Sequence, residues 1–258
     1  MLLAIDVGNT ETVVGVFQGE ELNWHWRYST VGNRTPDELA LLLGGFLEQQ
    51  GLSFTRQITG VSIASVVPDQ TQALRTMVRQ YFHFQPVVVE PGTKTGISIL
   101  YDNPRDVGAD RIANAVAAYA KFGGPAIVVD FGTATTFDIV SAEGDYLGGV
   151  IFPGLRISAL ALFEAAARLP MVEILPPRTV IARSTVESVQ AGLVLGTASM
   201  VDGVVERIVK ELGHSSVVAT GGLADLIIAG CVSVQHHEPW LTLEGLRLIF
   251  ERNAARDE

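Results

Sequence analysis

Ile5-Asp6-Val7-Gly8-Asn9-Thr10-Glu11-Thr12, near the start of the chain, is echoed in its middle by Val129-Asp130-Phe131-Gly132-Thr133-Ala134-Thr135-Thr136. Each copy runs from an apolar strand through aspartate, one residue, glycine and hydroxyl-bearing residues into another strand. That pattern is a tight β-hairpin rather than a strand-to-helix turn. Such a hairpin suits a phosphate. Its glycine lets the backbone approach an anion, its N–H groups and threonine hydroxyls donate to it, and its aspartate can hold a hydrated cation that offsets the charge. Two copies facing each other would clamp ATP.

The flanking elements repeat as well. Strands are expected from Leu2 to Val7, from Thr12 to Phe17 and from Leu22 to Tyr28. The capping box Thr35-Pro36-Asp37-Glu38 then opens a helix, with proline at its first position. A strand from Val61, a helix from Asp69, a strand from Pro86 and a helix from Ala109 to Lys121 complete a βββαβαβα series. After Gly123-Gly124-Pro125 the series restarts with strands at Ala126, Thr135 and Tyr146. Helices follow from Leu155 and from the box Ser184-Thr185-Val186-Glu187, then a strand at Val217, a helix at Leu223, a strand after Cys231 and a helix opening at Thr242. The offset of Asp130 from Asp6 is 124 positions, close to half of 258. The expected fold is therefore α/β and internally duplicated, divided into residues 1–122 and 123–258.

Composition narrows the function. A chain with 48% hydrophobic and 18% charged residues reads as globular. No segment is expected to approach a membrane span, since Arg156, Glu164 and Arg168 interrupt the stretch from Leu155 to Leu169. Met1 to Ile5 reaches Asp6 too soon for a signal peptide, so the expected location is cytoplasmic. The single cysteine, Cys231, excludes an intramolecular disulfide and is expected to be buried and inert. A net charge of −10 argues against nucleic-acid binding. The only lysines are Lys94, Lys121 and Lys210, and no P-loop is present. A nucleotide must be held by other means.

Phosphoryl transfer needs phosphate cradles, a metal, an adenosine pocket and a group that orients the attacking hydroxyl. The hairpins supply cradles, and Val218-Ala219-Thr220-Gly221-Gly222, a strand ending in a glycine pair, is a weak adenosine signal. Gly108-Ala109-Asp110-Arg111 opens a helix. Asp110 there serves either as an acid complementing the helix dipole or as a base for a substrate hydroxyl, with Arg111 binding an anionic group. Spacing does not choose between these roles.

The ordered set Asp6-Val7-Gly8-Asn9-Thr10, Tyr101-Asp102-Asn103-Pro104, Gly108-Ala109-Asp110-Arg111, Asp130 to Thr136, Gly148-Gly149-Val150-Ile151 with Pro153-Gly154, Ala219-Thr220-Gly221-Gly222 and Leu241 to Leu246 resembles type III pantothenate kinase along essentially the whole chain. The resemblance implies the duplicated actin-like ATPase fold of the acetate and sugar kinase, Hsc70 and actin superfamily, with the active site in the cleft. It implies ATP-dependent phosphorylation of pantothenate to 4′-phosphopantothenate, the first step of coenzyme A synthesis. It assigns Asp6, Val7, Gly8, Asn9, Thr10, Glu11, Thr12, Val13 and Thr133 to ATP, with Asp6 near Mg²⁺. Asp110 becomes the proton acceptor, and Tyr101, Gly108, Ala109, Asp110 and Arg111 bind pantothenate. Asp130 holds K⁺ or NH₄⁺, and Thr185 reaches pantothenate from the partner subunit of a homodimer.

Glu11 departs from the family pattern, and strand alternation is expected to turn it toward solvent. His236-His237 reads as a pair of exposed histidines rather than a metal site, and Trp24, Trp26 and Trp240 as packing residues. The alternatives to a pantothenate kinase are a relative acting on another acceptor and a non-catalytic nucleotide-binding regulator. Tyr101, Asp110, Arg111 and Thr185 decide the first alternative, and the intact set Asp6, Asp110, Asp130 and Thr133 speaks against the second.

Overall fold

The computed structural model describes residues 1–254, and its packing forms two units. The first holds β1 (Leu2–Val7), β2 (Glu11–Gln18), β3 (Glu21–Ser29), α1 (Pro36–Glu48), β4 (Gly60–Ser65), α2 (Pro68–Tyr81), β5 (Val87–Val88) and the first part of α3 (Ala109–Phe122). The second holds β6 (Ala126–Phe131), β7 (Ala134–Val140), β8 (Tyr146–Pro153), α4 (Leu155–Ala165), α5 (Thr185–Leu212), β9 (Ser216–Thr220), α6 (Ala224–Ile227) and β10 (His236–His237). The last helix, α7 (Leu241–Ala254), packs with the first unit.

The two sheets have the same order. One runs β3-β2-β1-β4-β5 and the other β8-β7-β6-β9-β10. In each, the central strand pairs antiparallel with the strand after it and parallel with the next α/β strand. Leu3, Ile5 and Val7 point into one core with Leu39, Leu43, Leu74 and Met77 of α1 and α2. Ile127, Val129 and Phe131 do the same with Leu155, Val194 and Ala198 of α4 and α5. Alternation then turns Asp6 and Asp130 to the opposite faces of their sheets, each as the penultimate residue of a central strand.

Local chemistry explains the helix starts. Thr35 accepts from the Glu38 N–H at 3.2 Å while Glu38 accepts from the Thr35 N–H at 2.7 Å, a reciprocal cap that satisfies two N–H groups at the helix start. Ser184 caps α5 through the Glu187 N–H at 3.3 Å.

Three expectations change. The division after residue 122 assigned α7 to the second half, but α7 lies against β1 and β4. Gly245 permits this, since a Cβ there would stand 2.0 Å from the Ala113 carbonyl oxygen, and Thr242 bonds Asn114 at 2.7 Å. The boundary itself falls within α3. Second, α5 is long and apolar enough to cross a membrane by length and composition, contrary to the expectation for every segment. Its Val189, Val194, Ala198, Val201 and Val205 belong instead to the second core. Third, His236 and His237 are half-buried strand residues rather than exposed ones, with His236 stacked on Phe122 at 4.3 Å. Cys231 is half-buried, and burial with the Asp202 charge nearby pushes its thiol up to about 11, which keeps it protonated and inert.

Candidate active site

The hairpins differ in length. Val7 pairs with Thr12 and the Gly8 N–H donates to the Glu11 carbonyl at 3.0 Å, so four residues make the first turn. Phe131 pairs with Thr135 and the Gly132 N–H donates to the Ala134 carbonyl at 3.0 Å, so three make the second. Asn9 and Thr10 are exposed at the first tip, and Gly132 and Thr133 at the second. Below the first tip, buried Thr12 bonds Thr30 between hydroxyls at 2.9 Å, and the Thr30 N–H donates to the Thr10 carbonyl at 2.9 Å. Val13 lies opposite Asp6. Glu11 is half-exposed and paired with Arg27 of β3 at 3.2 Å, so the extra carboxylate is compensated. The sequence reading missed Arg27, whose signal is its place on the neighbouring strand.

Asp110 belongs to the same unit and lies beside this hairpin. Its Oδ1 accepts from the Arg111 N–H at 2.9 Å. A Cβ at Gly108 would fall 2.4 Å from that oxygen and 3.6 Å from Val66 Cγ1, so the carboxylate occupies the space glycine vacates next to Val66. The Val66 N–H in turn donates to the Val7 carbonyl at 3.1 Å, immediately before Gly8. Asp110 therefore sits at the carboxyl ends of β1 and β4, where α/β sheets bind ligands. Asp110 is half-buried, and that burial raises its pKa above its ordinary value, against the lowering effects of the Arg111 N–H and guanidinium. A raised, desolvated carboxylate is a stronger base than a solvated one. Ala109 and Arg111 are buried in the first turns of α3. Tyr101, 37% exposed, precedes the short turn Pro104–Asp106 that leads into that helix.

In the second unit, Asp130 lies opposite Thr136 on β7 and Thr220 on β9. A Cβ on Gly221 (φ +94°) would stand 2.4 Å from Asp130 Oδ1 and 2.6 Å from the Phe131 nitrogen. The glycine pair thus has a second use beyond the expected adenosine approach: it makes room for this carboxylate. Gly154 does the same for the hairpin backbone, since a Cβ there would meet the Thr133 carbonyl oxygen at 2.1 Å. Thr185 is the exposed first residue of α5.

Two sheets of one order, each ending its central strand in an Asp-x-Gly hairpin, define the actin-like ATPase fold, which sugar kinases share. Solved structures agree on the fold. A protein described as a conserved putative Baf family transcriptional activator from Campylobacter jejuni superposes with TM-score 0.61 at 19% identity, covering 98% of this chain and 99% of that one. The ROK hexokinase of Thermus thermophilus gives 0.51 at 14%, covering 98% and 99%. The family model for type III pantothenate kinase matches residues 2–207. A type III pantothenate kinase from Streptomyces avermitilis is 54% identical over 264 residues, covering 99% of this chain and all of that protein. The chain belongs to the type III pantothenate kinase family, the kinases that phosphorylate pantothenate at the first step of coenzyme A synthesis.

Proposed function

We propose that this chain transfers the γ-phosphoryl group of ATP to the primary hydroxyl of pantothenate, with Asp110 receiving the hydroxyl proton. The observation that carries this is the half-buried Asp110 carboxylate, held beside Gly108 near Val66 and the end of the first hairpin's leading strand. Residues Asp6 to Val13 and Thr133 hold the phosphates through backbone N–H and hydroxyl donors. Tyr101, Gly108, Ala109 and Arg111 position pantothenate, whose carboxylate suits a guanidinium. As the acceptor oxygen bonds to phosphorus, its proton passes to an Asp110 oxygen and the γ-phosphorus bond to the β-bridging oxygen breaks, leaving ADP. Positioning and charge neutralisation supply most of the acceleration in such reactions.

One half-buried carboxylate at Asp6 fits Mg²⁺, which takes one or two protein carboxylates and otherwise keeps water and nucleotide oxygens. Bound there, it would neutralise charge on the phosphates. Asp130 suits a monovalent cation, K⁺ or NH₄⁺, because it is a half-buried carboxylate whose Oδ1 is flanked by the glycines Gly221 and Gly132 rather than by bulkier side chains.

The assembly we propose is a cytoplasmic homodimer. Apolar side chains stand exposed on the edge strand β8 (Ile151, 64%), on α4 (Leu160, 47%) and before α5 (Met171, 73%; Ile181, 87%). Large apolar side chains left exposed on several elements of one unit are what a partner surface would cover, and Thr185 at the start of α5 follows them in sequence. Net charge and fold give nucleic acid and membrane no role in this reading.

The test is ADP release from purified protein with ATP, Mg²⁺ and K⁺, with and without pantothenate. Strong stimulation by pantothenate is expected. Equal ADP release in both arms would sink the reading.

A further inference from the structure

The two hairpins are copies, so positions that differ between them show where their work diverges. Pairing Asp6 with Asp130 by register sets Val13 against Thr136, and Gly15 against Asp138, which face Ala4 and Val128 respectively. Tyr146, opposite Val140, corresponds to Leu22, opposite Phe17. Three apolar or absent side chains in the first copy are thus a threonine, an aspartate and a tyrosine in the second.

These three form a chain of hydrogen bonds. Tyr146 donates its hydroxyl proton to Asp138 Oδ1 at 2.9 Å, and Thr136 donates to Asp138 Oδ2 at 3.3 Å. Asp138 and Tyr146 are fully buried, whereas Thr136 is half-exposed beside Asp130. A fully buried carboxylate in the middle of a strand costs several kcal/mol unless it is satisfied, and a scaffold that only needed packing has the first copy's solution. The direction of the Thr136 bond matters. With its proton committed to Asp138, the Thr136 hydroxyl turns lone pairs, not hydrogen, to its surroundings, and it does so on the same sheet face as Asp130.

We propose that Thr136 is a neutral oxygen ligand of the monovalent cation bound at Asp130, and that Asp138 and Tyr146 are positioning residues that fix its hydroxyl as an acceptor. The proposal rests on the reading that a monovalent cation binds at Asp130. A weakly charged cation favours several neutral oxygens around one carboxylate, and the first copy, with Val13 in place of Thr136, offers none at that position. The difference assigns the two aspartates to different cations.

The test uses Thr136→Val, which keeps shape and removes the oxygen, and Thr136→Ser, which restores it. Asp130→Asn and Tyr146→Phe accompany them. Two quantities are read: the rise in melting temperature when NaCl is replaced by KCl, and the K⁺ concentration giving half-maximal turnover. In Thr136→Val the KCl-specific stabilisation should vanish, and half-saturation should move at least tenfold upward, by more than turnover at saturating K⁺ falls. Thr136→Ser should regain most of both, and Tyr146→Phe should show a smaller shift in the same direction. If Asp130→Asn loses the K⁺ response while Thr136→Val keeps it, Thr136 is no ligand and the inference fails alone. If the unaltered protein does not distinguish KCl from NaCl in either quantity, the cation reading fails and takes this inference with it.

Discussion

Gly108→Ala should separate catalysis from stability. The new methyl carbon would arrive 2.4 Å from Asp110 Oδ1, where ordinary contact begins at 3.4 Å, so the carboxylate has to retreat by about 1 Å. The other near atom, Val66 Cγ1, is already at ordinary contact distance, 3.6 Å. Backbone strain is absent, because Gly108 does not adopt a left-handed φ. Displacing a carboxylate from its rotamer costs roughly 0.5–1.5 kcal/mol, and replacing glycine by alanine returns roughly 0.4–1 kcal/mol through the unfolded chain. The melting temperature should therefore stay within a few degrees. Turnover should fall by about 10²-fold, the usual consequence of a 1 Å misplacement of a reacting group. The assay is pantothenate-dependent ADP release at saturating substrates beside a thermal melt. Turnover within threefold of the parent, with an unchanged melt, would show that the Asp110 carboxylate need not be where the structure holds it.

Asp110→Asn should lower turnover by roughly 10²–10⁴-fold, the range of general-base contributions, and should raise the melting temperature at neutral pH. The sign follows from the raised pKa: the folded state holds this proton more tightly than the unfolded one, so Asp110 favours folding most at acid pH, and that contribution is lost as pH rises through its folded pKa. Melts of parent and variant from pH 4 to 8 should accordingly diverge toward neutral pH; a variant that is less stable at pH 7 would contradict the desolvation argument. Parent turnover should begin to fall, on acidification, at a higher pH than for a solvated carboxylate. In the homodimer we propose, Leu160→Glu should give a monomer in light scattering and depress activity with it, whereas a dimer mass unchanged from the parent's would remove Leu160 from the interface.

Most of the fold was legible because its signals are local. The capping boxes at Thr35 and Ser184, the glycines at the hairpins and the apolar strands each specify their own element, and the repeated order of elements did the rest. The place of α7 was not legible, since nothing within Leu241 to Ala254 says which sheet it covers; that is decided by Gly245 against Ala113 and by Leu243 against Gly15, contacts between residues far apart in sequence. The site divides along the same line. Asp110 was visible as a candidate with two roles, and only its place beside Gly108, near Val66, shows a half-buried carboxylate rather than a solvent-facing acid at a helix end, which is what favours the base role we propose. Asp138 carried a signal that went unread: an aspartate inside the apolar run Phe137-Asp138-Ile139-Val140 has to be satisfied by something, and its partners come from the same hairpin.

The fixed offset between the copies also concealed a length change. Counting from the aspartates aligns Thr12 with Thr136, but pairing shows that Thr12, opposite Val7, corresponds to Thr135, opposite Phe131; both are 1% exposed. The first hairpin is longer by one residue at its tip, presenting Asn9 and Thr10 where the second has Thr133 alone. If the extra residue serves the nucleotide, deleting Asn9 should leave the sheet intact, because the second copy closes the same strands over a three-residue turn and such turns are common. The Thr30 N–H would keep its bond to the Thr10 carbonyl. Melting should shift by only a few degrees, while the ATP concentration for half-maximal turnover should rise by about tenfold or more, the loss of one or two donors to a phosphate at roughly 1.5–3 kcal/mol each. The half-saturation for pantothenate should move much less, since the residues we propose for it, Tyr101, Gly108 to Arg111 and Thr185, lie outside this hairpin. An unchanged ATP dependence in a folded deletion variant would mean that the longer tip is a tolerated insertion and that Gly8 with the strand ends suffices to hold the phosphates.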